Sequence, residues 1–122
     1  FRNRNYLSDQ IIISNFRSSI NNFINISNNY NIKLVLMTQF NRLDFTDKLI
    51  YNNNNKYSDR GIDMDRMFNL YKIFNNEIRK ASVDHNIDLI DLDSLVSPKN
   101  QYIYDEVHLN TAGSIFVSML YT

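Results

Sequence analysis

"IKLVLMTQ", residues 32–39, is the stretch on which the fold turns. It is a short, nearly continuous apolar run bounded by "NNYN" before it and polar residues after it. A half-buried antiparallel strand alternates apolar and polar residues. A run apolar throughout fits a strand covered on both faces, as in a parallel sheet. A second run of the same kind, "IDLIDL" at 87–92, lies about fifty residues further on. Parallel strands need a crossover of a dozen residues or more, usually a helix.

That helix is the most regular pattern in the chain. Met64, Met67, Phe68, Tyr71, Phe74, Ile78 and Ala81 recur at helical spacing across residues 63–85, with Asp63 as N-cap and Asp65 complementing the helix dipole. The Met/Phe stripe is a core face. An earlier amphipathic helix is predicted over 10–29, carrying Ile12, Ile13, Phe16, Ile20, Phe23, Ile24 and Ile26. Ser8 or Asp9 caps it and "NNYN" ends it. Residues 40–62 are polar and rich in Asn, with Ser58 and Gly61, and form a long loop. "DSLVSPKNQYIYDEVH" (93–108) is a connecting loop in which Pro98 bars regular structure. Thr111 to Thr122 is a last helix, with Ile115, Phe116, Met119 and Leu120 facing inward. Helix and strand alternate, so the class is α/β with parallel pairing. Two strands make a poor sheet by themselves, and further strands from an upstream segment or another chain are expected to complete it.

Composition narrows the function. The chain has 122 residues, one domain's worth, and 43% of them are hydrophobic, enough for a core. Formal net charge is zero, with no basic stripe, and the Arg2/Arg4 pair is plain surface. Nucleic acid is therefore not the expected partner, since phosphate binding needs clustered Lys and Arg. No apolar run is long enough to span a bilayer. There is no cysteine, which excludes disulfides and thiolate metal sites. The excess of Asn, with frequent Ile and Tyr, matches AT-rich codon usage.

Chemistry concentrates in "YIYDEVHLNTAG", residues 102–113. Asp105 and His108 stand three apart just before a helix capped by Asn110 or Thr111, and Gly113 permits a close approach. In a turn, this spacing sets a carboxylate against one imidazole nitrogen. The carboxylate fixes the tautomer, and the other nitrogen is left to take a proton from a hydroxyl nucleophile. Spacing alone also fits a plain structural turn, or a metal set of Asp105, Glu106 and His108. Asp91 and Asp93 fit either a metal site or capping of the chain after a strand. His85, at a helix end, fits a C-terminal cap.

Taken together, "NIKLVLMTQF", "EIRKASVDHNIDLIDLDSL" and "YIYDEVHLNTAGSIFVS" resemble the C-terminal half of SGNH (GDSL-type) hydrolases. The resemblance runs over nearly the whole chain. It implies a flavodoxin-like three-layer α/β/α fold, of which residues 1–122 are the C-terminal portion. It implies that Asp105 and His108 are the acid and base of a Ser–His–Asp triad acting on an ester or on an acylated small molecule or glycan, with no cofactor and no metal. The family's Gly-Asp-Ser block, oxyanion-hole glycine and Gly-x-Asn-Asp block have no counterpart among these residues; the two glycines, Gly61 and Gly113, lack those neighbours. "NYLSDQIIISNF" resembles the helix that follows the Asn block. The nucleophile is thus expected from an upstream segment or a completing chain. The alternatives are a non-catalytic structural or interaction module of the same fold, and a carbohydrate- or lipid-binding cleft lined by Tyr51, Tyr57, Tyr102 and Tyr104.

Overall fold

The computed structural model describes residues 8–42 and 64–120, with the side chain of Met64 excepted. The Asn-rich loop with Tyr51, Tyr57, Ser58 and Gly61, the Asp63 cap and the Arg2/Arg4 pair lie outside the described residues. In chain order the elements are α1 (Asp9–Asn29), β1 (Val35–Met37), α2 (Met64–His85), β2 (Asp88–Ile90), α3 (Leu92–Val96), a 3-10 turn (Asn100–Tyr102) and α4 (Thr111–Met119). The chain is mixed α/β. Among the described residues its sheet has two strands, β1 and β2, paired in parallel with Val35 opposite Asp88 and Met37 opposite Ile90.

Helix α1 starts where expected, with Ser8 at the N-cap and Asp9 in the first turn. It packs on α2, which in turn lies against both strands. Ile20 and Ile24 are buried, and Phe16 stacks on Phe74 of α2 with ring centroids 4.4 Å apart. Each buried aliphatic side chain contributes about 1.5–3 kcal/mol. Arg17 on α1 grips Glu77 on α2 through Nε and Nη2, both at 2.7 Å. Phe23 and Ile26, expected inward, are exposed instead. They lie off the row of Phe16, Ile20, Ile24 and Ser27, whose steps of three and four residues keep it turned toward α2.

Both long helices stop in the same way. Asn31 (φ 54°) and Asn86 (φ 52°) adopt the left-handed conformation after α1 and α2. The next residue folds back in each case: Ile32 N–H donates to Ser27 O at 2.8 Å, and Ile87 N–H donates to Ser82 O at 2.9 Å. These are Schellman caps. Asn is the residue after Gly that best tolerates the positive φ, and the isoleucine following it leads the chain toward a strand.

The second face of the sheet departs from expectation. Val35 is 42% and Met37 45% exposed, so β1 is not covered on both faces by described residues. Side chains of paired residues in a parallel sheet share a face. Val35, Met37, Asp88 and Ile90 therefore stand together on it. Of these, Ile90 packs against the cluster of Phe40, Leu92, Val96 and Ile103, which Phe116 and Val117 of α4 also join. Two further expectations are corrected here. The segment after β2 is not all loop, because Asp91 caps a short helix, α3, that ends before Pro98. In α4, Ile115, Met119 and Leu120 are exposed, and Phe116 with Val117 forms the inward side.

The caps yield a direct test. Replacing Asn31 or Asn86 by Gly is expected to raise stability by a few tenths to about 1 kcal/mol, and replacing either by Ala to lower it by about 1 kcal/mol. Urea unfolding midpoints of the four variants check the order Gly, Asn, Ala at both positions.

Candidate functional site

The carboxyl ends of the two strands are tied by a polar knot. Thr38 Oγ1 donates to Asp91 Oδ1 at 2.7 Å and accepts from Asp93 N–H at 2.9 Å. Arg79 of α2 holds Asp91 with Nε and Nη2, both at 2.8 Å, and Nη2 also meets Asp93 at 2.8 Å. The bond from Arg79 holds the Asp91 carboxyl far below the usual carboxylate range, against the opposing effect of burial; Thr38 and Ser94 add to it. Asp91 thus caps α3, the capping alternative read from sequence, and both Asp91 and Asp93 anchor Arg79. Among the described residues, no group of three or more His, Asp or Glu side chains is placed to hold a metal ion.

From Thr38 the chain runs along the same rim, pinned at almost every step. Asn75 is 1% exposed, and its side-chain amide accepts from Gln39 N–H at 2.9 Å and donates to Gln39 O at 2.8 Å, as a neighbouring strand would. Asn41 N–H donates to Ser97 Oγ at 3.0 Å. Arg42 N–H donates to Glu106 O at 2.8 Å, inside the D-x-x-H segment. Thr38, Gln39 and the Asp105–His108 loop therefore belong to one rim, the place where open α/β sheets present ligands.

The D-x-x-H loop is the tip of a small hairpin. Ile103 and Leu109 form an antiparallel bridge, closed by Tyr104 N–H to His108 O at 2.9 Å and Asn110 N–H to Tyr102 O at 3.0 Å. Asp105 Oδ1 accepts from the N–H groups of Val107 at 2.9 Å and His108 at 2.8 Å. Its carboxylate also meets the ring: His108 Nδ1 lies 2.8 Å from Oδ2 and 3.0 Å from Oδ1. Burial favours the neutral acid, but the bonds from Val107 N–H and from the ring and N–H of His108 outweigh it and hold Asp105 below its ordinary range. An ionised carboxylate only accepts, so Nδ1 carries a proton toward Asp105, and Nε2 is the ring nitrogen turned away from it. The His108 side chain is 70% exposed, and among the described residues Nε2 has no partner. No serine hydroxyl meets it there.

Beyond the loop, Asn110 caps α4 by accepting from Gly113 N–H at 2.9 Å. Gly113 sits directly against the Tyr102 carbonyl, and a Cβ there would collide with that oxygen. The N-terminus of α4 is thereby held close against the hairpin arm that carries Tyr102. Tyr104 is exposed, with its ring centroid 6.5 Å from that of His108. Tyr102 is half-buried, stacks on Phe116 at 4.7 Å and packs against the core cluster. Sequence reasoning missed Asn75, Arg42 and Arg79. Asn75 carried a signal, as a polar residue at helical spacing between Tyr71 and Ile78 on an apolar stripe. Arg42 and Arg79 carried none, because their partners are remote in sequence.

No protein-family model, curated protein or solved structure matches the chain.

The knot sets an acid dependence. Asp91 ionises at lower pH in the folded state than in the unfolded chain. Its stabilisation is therefore fully present above the ordinary carboxylate range, and is lost as pH falls through that range toward the lower folded value. Arg79→Met is expected to cost about 2–4 kcal/mol at neutral pH by stripping the carboxylates of their partner. The gap between parent and variant should close below about pH 4. Thermal unfolding of both proteins across that range is the measurement.

Proposed function

We propose that this chain supplies the acid and base of an SGNH-type ester hydrolase or acyl-transfer site, with His108 as general base and Asp105 as its orienting carboxylate. The reading is carried by one observation: Asp105 holds Nδ1 at hydrogen-bond distance while Nε2 stays open on an exposed imidazole. A ring oriented through Nδ1 with its other nitrogen open to solvent is the arrangement a general base requires. The parallel strands and the shared rim support a flavodoxin-like three-layer α/β/α arrangement in which the remaining strands come from a serine-bearing segment or chain.

In that arrangement a serine hydroxyl meets Nε2. His108 takes its proton as the oxygen attacks the ester carbonyl, and Asp105 stabilises the imidazolium that forms. The proton then passes to the leaving alcohol, and an acyl-enzyme remains. Water, or an acceptor alcohol such as a glycan hydroxyl, then attacks the acyl carbonyl as its proton goes to Nε2; the serine oxygen leaves and takes that proton back, releasing the acid or the new ester.

A second reading is a non-catalytic module of the same fold, favoured by the lack of any serine on Nε2 among the described residues. Activity separates the two. In the intact, serine-bearing protein, His108→Ala is expected to lower hydrolysis of a simple aryl ester by about three or more orders of magnitude with the fold retained. Asp105→Asn should cost somewhat less. The 122-residue chain alone should be inactive. Ester hydrolysis unchanged by His108→Ala sinks the triad assignment and leaves the module.

A further inference from the structure

Arg42 meets the D-x-x-H hairpin twice. Its backbone N–H donates to Glu106 O at 2.8 Å, and its Nη1 donates to Ile103 O at 2.8 Å. The two acceptors flank Asp105 on either side. Ile103 is 1% and Glu106 8% exposed, so water cannot readily replace a donor lost at either carbonyl. The geometry of the hairpin explains why a donor is needed. In the Ile103–Leu109 bridge, the bonds to the second arm are made by the neighbours, Tyr104 N–H and Tyr102 O. The carbonyl of Ile103 consequently points away from that arm. Arg42 takes this outer side as a third strand would.

We propose that Arg42 is a positioning residue for the Asp105–His108 pair. Its side chain fixes the arm entering the loop, its backbone fixes the turn, and between them the Asp105 carboxylate is aimed at Nδ1. A charged, planar guanidinium makes a stronger and more directional bond to a carbonyl than a neutral donor does. Arg42 touches no reacting atom. Its consequence for turnover rests on the acyl-transfer reading; its effect on the ring does not.

The chain contains two histidines, so ring-15N labelling gives two spin systems, and His85→Gln assigns them. In the parent, His108 is expected to carry its proton on Nδ1 once neutral. In Arg42→Met the Nδ1–H form should drop to roughly half or less, as the contact with Asp105 loosens. Arg42→Lys, which keeps one charged donor, should restore part of it. In the intact serine-bearing protein, kcat for an aryl ester should fall about tenfold in Arg42→Met, with KM unchanged. A merely structural role predicts a lower unfolding midpoint with the His108 tautomer unaltered, and that result overturns the proposal. If Arg42→Met fails to fold, Arg42→Gln and Arg42→Lys decide it: an unchanged tautomer in both is equally fatal. An intact protein inactive on esters, with the tautomer still responding to Arg42, removes the acyl-transfer reading and leaves the positioning role standing.

Discussion

Asp91 accepts hydrogen bonds from Thr38 after β1, from Arg79 on α2 and from Ser94 on α3. A single carboxylate thus ties the exit of one strand to the crossover helix and to the element that follows the other strand. The bidentate arginine is what makes this tolerable, because a half-buried carboxylate without a partner would protonate or pull the strand ends toward water. From the knot, the chain leaving Thr38 follows a course held by hydrogen bonds at Gln39, Asn41 and Arg42. It runs past Asn75 and Ser97 and ends at Arg42 against the D-x-x-H hairpin.

Among the described residues the apolar core is small, and polar residues do part of the work of apolar ones. Asn75 completes the backbone hydrogen bonding of Gln39 where a strand would otherwise be required. Ser82 Oγ donates to Ile87 O at 2.6 Å and so reinforces the turn from α2 into β2. Among the described residues, no buried side-chain nitrogen or oxygen lacks a partner. Buried polar groups contribute to a unique geometry only when fully satisfied, and here they are.

At the site itself, one carboxylate serves two purposes. Oδ1 of Asp105 builds the turn by capping two backbone N–H groups, and Oδ2 makes the shorter contact to the ring. The turn and the tautomer therefore depend on the same side chain. This links the shape of the loop to its chemistry: anything that fixes the turn also fixes the direction of Nε2.

The features legible in the sequence are those governed by near neighbours. The periods of 3.6 and of near-continuous hydrophobicity marked α1, α2 and two strands that pair in parallel. A spacing of three brought Asp105 to His108, and the short reach of Asn110 and the missing Cβ of Gly113 fixed the start of α4. Each depends on residues within a turn or two of chain, where backbone geometry leaves few choices. The exposed faces of Phe23, Ile26, Val35 and Met37 were not legible, because hydrophobicity states a preference for burial while only packing decides which residues obtain it. Helix α3 escaped notice because five residues carry too little periodicity to outweigh a nearby proline. Arg79 and Arg42 look like ordinary surface charges in the sequence. Their roles come from carboxylates and carbonyls that the tertiary fold brings within hydrogen-bond reach, and a long flexible cation has no local pattern that names its partner in advance.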